Sequence, residues 1–309
     1  MAAVADTRVL TDSCGLVDRS ERGKLALTGP EAKAFLHGQV TNDVEALEPG
    51  RGCYAAFLTH KGKMLGDLRV LDLGDELLLD TERVALQELF NMIRRYKLGR
   101  DVELRKRTLE WSLLSLIGPD ARSVAGAEDL VEEHANRRAE IAGVPVVLVA
   151  TDVGVDVFVP TGSKDAVAAA LGVPAVADEA AEILRVERGR PRYGVDLDDS
   201  VIPQEAGLNE RAVSFTKGCY VGQETVARLH YRGKPNRHLR GLRLSAPAAR
   251  GDVLRLGGKE VGRLGSVAVS PIHGPIALAL VRREAAVGDT LAVGDGGIAA
   301  EVVDVPFAG

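Results

Sequence analysis

The sequence predicts an α+β protein: open mixed sheets with helices on one face, followed by a small β-barrel. Three observations carry this. Strand, helix, strand, strand, helix recurs through the first two hundred residues, an order that suits such sheets. From Leu239 on, short β runs punctuated by glycine replace it, which is the rhythm of a barrel. The element order does not suit a dinucleotide fold, and no G-x-G-x-x-G or P-loop spacing occurs. The boundary is expected near residue 236, dividing the chain into an α+β region over 1–235 and a barrel over 236–309.

The 309 residues are enough for two or more domains with a sizeable core. Hydrophobic residues make up 46% and charged residues 27%, the balance of an ordinary globular protein. A net charge of −5 argues against general nucleic-acid affinity. No apolar run reaches the length of a membrane span, and the first residues carry no secretory pattern. The three cysteines, Cys14, Cys53 and Cys219, are odd in number and widely spaced. A disulfide framework or a cysteine zinc site is therefore not expected, and a reducing, cytoplasmic setting fits. The six histidines show no metal-binding spacing, so no metal site is expected.

In chain order, 24–29 reads as a strand, and Pro30 opens a helix bearing Phe35 and Leu36. Within 38–44, Asn42 and Asp43 read as turn and cap residues. Segments 53–59 and 64–71 read as a hairpin around the turn 60–63. A strand at 76–80 leads to Thr81, expected to cap a helix with Leu86, Leu89, Phe90 and Ile93 inward. That helix ends in Arg94, Arg95 and Lys97, cations suited to a helix C-terminus. Strands follow at 108–117, 141–151 and 155–159, with short helices after Pro119 and at 163–171.

Asp178 is expected to cap a helix over 179–189 in which Ala180, Ile183 and Glu187 share one stripe. A carboxylate on an apolar stripe is costly unless it has partners. Glu187 is then either half of a core ion pair or an acceptor for a ligand.

The densest chemistry lies in Lys217-Gly218-Cys219-Tyr220-Val221-Gly222-Gln223-Glu224. Gly218 and Gly222 suggest sharp turns on each side of Cys219. Residues 223–229 read as a helix with its carboxylate early and its arginine late. A lysine and a helix start beside a thiol would favour the thiolate. The alternative is a small buried residue in a tight loop.

K-G-C-Y-x-G-Q-E resembles the hallmark of the YgfZ-type folate-binding proteins, relatives of the glycine cleavage T-protein (aminomethyltransferase) that are linked to iron–sulfur cluster assembly or repair. Gly38-Gln39-Val40-Thr41-Asn42-Asp43-Val44 resembles the family's G-x-x-T-N-D-V block, and Arg185-Val186-Glu187-Arg188-Gly189 its R-x-E-x-G helix end. The P-R-x-G and I-P-Q-E blocks are matched at 191–194 and 202–205. The resemblance is dense from Glu182 to Arg240, moderate from Leu25 to Arg69 and weak between. It implies a T-protein-like ring of two interleaved ferredoxin-like lobes plus the C-terminal barrel, with tetrahydrofolate or a one-carbon derivative in the central hole.

The resemblance also implies roles. Glu187 would accept hydrogen bonds from the pterin edge, with Asn42, Asp43, Tyr54 and Arg185 nearby. Cys219 would be the working thiol, supported by Lys217, Gly218, Tyr220, Gly222, Gln223 and Glu224. In the aminomethyltransferases the equivalent turn carries two adjacent aspartates, one of which lies near the reactive folate nitrogen and is needed for methylene transfer, whereas this chain aligns Gly66-Asp67 there. Asp67 stays a candidate, and the missing aspartate weighs against glycine cleavage. Whether a reaction is catalysed is left open. Expected partners are folate, polyglutamylated forms included, and iron–sulfur assembly or client proteins, with the chain acting as a monomer. Two basic clusters, Arg94 to Arg107 and Arg228 to Arg240, are expected to attract a polyglutamate tail if they flank one mouth of the hole.

Overall fold

The computed structural model describes residues 2–295 and 297–308. The α+β region runs α1 (Ala2–Asp12), β1 (Gly15–Asp18), β2 (Gly23–Thr28), α2 (Ala32–His37), β3 (Gly52–Leu58), β4 (Met64–Asp72), β5 (Leu77–Thr81), α3 (Leu86–Tyr96) and β6 (Glu103–Lys106). It continues through β7 (Trp111–Ile117), α4 (Ala121–Ala125), β8 (Asn136–Ile141), β9 (Val144–Ala150), β10 (Gly154–Pro160), α5 (Lys164–Leu171), α6 (Asp178–Glu187), α7 (Asn209–Ala212) and α8 (Gln223–Arg232). The barrel strands are β11 (Arg237–Leu244), β12 (Val253–Leu256), β13 (Lys259–Ser270), β14 (Gly274–Arg282), β15 (Thr290–Val293) and β16 (Ile298–Val303).

One sheet has the order β3-β4-β5-β2-β6, the other β1-β7-β10-β9-β8. The lobes are interleaved because β1 opens the second sheet before the chain builds the whole of the first. The six barrel strands close in the order β11-β14-β13-β12-β15-β16. Each sheet buries an apolar face under its helices. Leu25, Phe57, Leu68 and Leu79 pack on Leu36, Leu89 and Ile93 in the first lobe. Leu114, Leu148 and Val157 pack on Ala121 and Val167 in the second.

The β3–β4 hairpin forms as expected, with Tyr54 opposite Arg69 and Ala56 opposite Asp67. Two expected caps do not form. Thr81 is the last residue of β5, and its hydroxyl donates to the Asp67 carbonyl. The strand claims Thr81 because pairing with Gly23 extends the ladder. Asp178 is the first residue of α6 rather than its cap, and Ala177 precedes it in extended conformation. A carboxylate in the first turn still favours the dipole there.

Two contacts join α6 to the barrel, and a third ties the segment after α7 to the first lobe. Helix α6 carries Arg185, whose guanidinium bonds Asp196 at 3.0 Å and the hydroxyl of Ser266 on β13. Glu187 ends α6, and its carboxylate accepts from Ser270 Oγ at 2.6 Å on the same barrel strand. Lys217 reaches back from the segment after α7 to the loop after α2.

Candidate functional site

Between the two sheets, closed by α6 and the loop after it, lies a cavity of about 1090 Å³, part of it open to solvent. Its floor is polar because β4 breaks its apolar pattern. Asp67 and Arg69 alternate with Leu68 and so share one face of the strand. Arg69 donates to Asp80 at 2.7 Å and to Asp156 at 2.6 Å, bridging the two lobes. Arg22 grips Asp80 bidentately at 2.9 and 3.0 Å. Burial alone would raise the Asp80 carboxyl, but Arg22 and Arg69 outweigh it and hold it well below the usual range.

Asp67 is treated differently. It is 5% exposed, and the side-chain hydrogen bond found for it is from the Tyr54 hydroxyl at 2.7 Å. Burial pushes its carboxyl up to about 6, against the pull of that bond. The Tyr54 ring in turn lies under the Arg211 guanidinium at 5.2 Å. His134 also lines the cavity, at φ 70, a region that non-glycine residues rarely occupy. Burial, with Arg69 and Arg211 nearby, lowers its pKa to about 3, so the imidazole is neutral.

Eight arginines and five carboxylates line this space, a cationic surplus in a chain of net charge −5. Such a cavity suits an anionic ligand with a polar head.

Of the residues assigned to folate by resemblance, Tyr54, Asp67 and Arg185 line the cavity. The Arg185 guanidinium is taken up by Glu182, Asp196 and Ser266, so its role is to hold α6 against the barrel. Asn42 and Asp43 do not line the cavity. Asn42 donates to the carbonyls of Tyr54 and Arg211, and Asp43 accepts from the Ala46 amide, which are the duties of brace and turn. Glu187 also lies outside the lining, its carboxylate engaged by Ser270.

Gly66 takes no carboxylate away from this cavity, contrary to the inference from sequence. It lies on the other face of β4, where a Cβ would meet Ala85 Cβ and Phe57 Cε1 at 2.6 Å. An aspartate there would enter the apolar core.

The cysteine motif forms a second centre, apart from the cavity lining. Cys219 is exposed, while Lys217 and Tyr220 are buried. The Lys217 ammonium does not serve the thiol as the sequence suggested. It donates to the carbonyls of His37, Val40 and Asn42, the last two at 2.8 and 3.0 Å, and lies 5.1 Å over the Tyr220 ring. Gly222 has φ 85 and caps α8, and a Cβ there would meet the Thr59 carbonyl at 2.5 Å. Gly218 is not in the left-handed region, so only one of the two expected turns needs glycine for its angle. Gln223 opens α8 and Glu224 is exposed in its first turn. Lys217 thus clasps the block at 38–44, and two motifs far apart in sequence meet in space.

No motif or spacing marks Arg22, Arg69, Asp80, Asp156 or Arg211 for a role. Asp67 and Arg69 at i and i+2 in an otherwise apolar strand were the available signal. Among the described residues, no group of three or more His, Cys, Asp or Glu is placed to hold a metal ion. No described helix is long and apolar enough to cross a membrane.

Two lobes around a cation-lined cavity, with a closed six-stranded barrel held against α6, define a protein of the glycine cleavage T-protein class. Residues 1–217 match the GCVT N-terminal domain, and residues 237–308 match the glycine cleavage T-protein C-terminal barrel domain. The chain belongs to this family. It is 30% identical over 307 residues to a chloroplastic protein of Arabidopsis thaliana named as a transferase, covering 94% of this chain and 71% of the relative. It is 32% identical over 325 residues to the aminomethyltransferase of Thermotoga petrophila, covering 96% and 86%. The crystal structure of the glycine cleavage system aminomethyltransferase T from Bartonella henselae has the same fold. Its TM-score is 0.90 at 24% identity, over 99% of this chain and 89% of that one.

Proposed function

We propose that the central cavity binds tetrahydrofolate or a one-carbon derivative, and that the protein is a folate-binding accessory factor of iron–sulfur cluster assembly or repair working through Cys219. The observation that carries the folate half is Asp67, a buried carboxylate facing the cavity with Tyr54 as its side-chain partner. A ligand N–H would supply a second bond and relieve the cost of its burial. The cationic lining supports the anionic tail of the same ligand. The resemblance gives the pterin edge to Glu187. The geometry favours Asp67, which already faces the cavity while Glu187 is engaged at the barrel.

The iron–sulfur half rests on the K-G-C-Y-x-G-Q-E resemblance and on the exposure of Cys219 outside the cavity lining. A second reading is a folate-dependent aminomethyltransferase, the name carried by several relatives. The presence of Asp67 in the cavity favours it, since Gly66 does not remove the carboxylate that the chemistry would use.

Titration with tetrahydrofolate tests the first half. Asp67→Asn is expected to weaken binding at least roughly tenfold, the loss of one charge-assisted bond, and Glu187→Ala less. The reverse order would return Glu187 to the pterin edge. A glycine-cleavage assay separates the two readings. Turnover that survives Cys219→Ser would establish the aminomethyltransferase and remove the accessory role from that thiol.

A further inference from the structure

His134 lies in the turn before β8 and lines the central cavity, yet no bond ties its side chain to the rest of the wall. Its φ of 70 is costly for a residue with a Cβ. Two bonds of its backbone hold it there. Its amide donates to the Ala150 carbonyl at 2.8 Å, and Asn136 Nδ2 donates to its own carbonyl at 3.2 Å. Strain that the surroundings over-determine in this way gathers at ligand sites.

The imidazole is buried, and neither ring nitrogen makes a hydrogen bond found among the described residues. Nδ1 is shut off from solvent. Nε2 stands 3.7 Å from Glu133 Oε1, beyond hydrogen-bond reach, and that oxygen already accepts from Arg211 at 2.7 Å. The neighbouring cations are committed too, Arg69 to Asp80 and Asp156 and Arg211 to Glu133. Burial beside them keeps the ring neutral, with one N–H and one lone pair. A buried N–H without an acceptor is the rarer and costlier orphan, so the proton belongs on Nε2 and the lone pair on Nδ1. His134 thus brings an uncharged donor to the wall. Glu133, Arg211 and Tyr54, each in contact with the next, lead from it to Asp67, which is an acceptor.

We infer that His134 is a ligand-binding residue of the central cavity, its Nε2–H donating to a carbonyl oxygen of the ligand while Asp67 accepts from a ligand N–H. The inference rests on the folate reading of the cavity and deepens it. A free cation at this place would select a carboxylate, whereas a neutral donor suits an uncharged oxygen. Two oxygens of a tetrahydrofolate meet that description, the carbonyl of the pterin ring and that of the benzoyl amide beyond it. A bond from either would satisfy the ring and give the strained turn its use.

The test is titration of tetrahydrofolate and of tetrahydropterin into the wild type, His134→Asn and His134→Phe. Asparagine tolerates the left-handed turn and phenylalanine keeps the ring volume, so the two variants guard against different ways of failing to fold. Both are expected to bind tetrahydrofolate about three- to tenfold more weakly, the loss of one neutral hydrogen bond. Tetrahydropterin lacks the benzoyl amide. An equal loss with it assigns the ring carbonyl, and no loss assigns the amide. Nitrogen NMR of the free protein should show the His134 proton on Nε2, and tetrahydrofolate should move that resonance, which a role in packing alone would not require. Unchanged tetrahydrofolate affinity in a folded variant, or a proton on Nδ1, overturns the role of His134 and leaves the folate cavity standing. Binding of neither probe by the wild type removes the cavity reading and this role with it.

Discussion

The cavity floor and the cysteine motif both bury cations, but they hold them by different means. Arg22 and Arg69 are set against the carboxylates of Asp80 and Asp156. Lys217 is set against three backbone carbonyls. A paired carboxylate keeps both charges fixed, and Asp80 accordingly sits far below the usual range. Carbonyl dipoles compensate less, so burial lowers the Lys217 ammonium to about 8. The ion pairs of the cavity floor therefore keep their charges across physiological pH. The motif is clasped by a group that can lose its charge a little above it.

The strongest way to break this contrast is to unpair the cavity. Asp80→Asn leaves two guanidiniums sharing a neutral partner. Breaking a buried ion pair from one side costs about 3–5 kcal/mol, and denaturant unfolding should show a loss of that size. A loss below about 1 kcal/mol, the scale of an exposed pair, would mean that solvent reaches Asp80 and that the pair is not a fixed charge.

Lys217→Met tests the other side. Three carbonyls lose their donor, and the expected loss is about 2–3 kcal/mol. Hydrogen exchange should quicken at 37–44 and 214–224 and stay unchanged on β4 and β5. The pH dependence has a definite sign. Between about 8 and 10.5 the folded state has shed a proton that the unfolded chain still holds. Stability should therefore rise with pH across that window, by up to about 1.4 kcal/mol per unit, and Lys217→Met should abolish the rise.

Asp67 sharpens the comparison from within the cavity, because it is the carboxylate there held by a phenol instead of an arginine. Its folded value of about 6 lies above the ordinary 3.8, so the folded state holds the extra proton between them. Its contribution is present below about 3.8 and is lost as pH rises through 6. Asp67→Asn should accordingly stabilise the protein at pH 7 by about 1–2 kcal/mol and flatten unfolding free energy between pH 4 and 6. Activity or folate affinity lost alongside that gain would mark Asp67 as a functional residue kept at a cost in stability.

Much of the fold could be read locally. The β3–β4 hairpin and the glycine-punctuated barrel follow from period-two patterns and turn residues within a dozen positions. Segments too short for such a pattern are not legible: β1 and β6 have four residues each. The site was legible only where its signal was local. Asp67 and Cys219 could be named, but the carbonyls that hold Lys217 lie 175 to 180 residues away in the chain. Nothing local says that His134 and Asp67 line one cavity. The facing of Gly66 is legible locally, since adjacent strand residues face opposite sides and only one of a pair can reach the cavity.

The smallest expected effect falls on Cys219. Its thiol is exposed, and it makes no hydrogen bond found among the described residues, whereas Cys14 is buried and Cys53 half-buried. Burial pushes the Cys53 thiol up to about 12 and Cys14 to about 11, so neither offers much thiolate near neutral pH. Cys219→Ser removes one sulfur from the surface and should change stability by less than about 0.5 kcal/mol. Alkylation of the folded protein, followed by peptide mass spectrometry, should label Cys219 first, and Lys217→Met should speed labelling of Cys53 as the clasp loosens. A stability loss above about 1 kcal/mol for Cys219→Ser, or labelling of Cys53 ahead of Cys219, would show that the sulfur is packed and that the motif serves the fold. Unchanged stability with preferential labelling leaves its conspicuous chemistry to a partner or substrate, because the fold has no use for it.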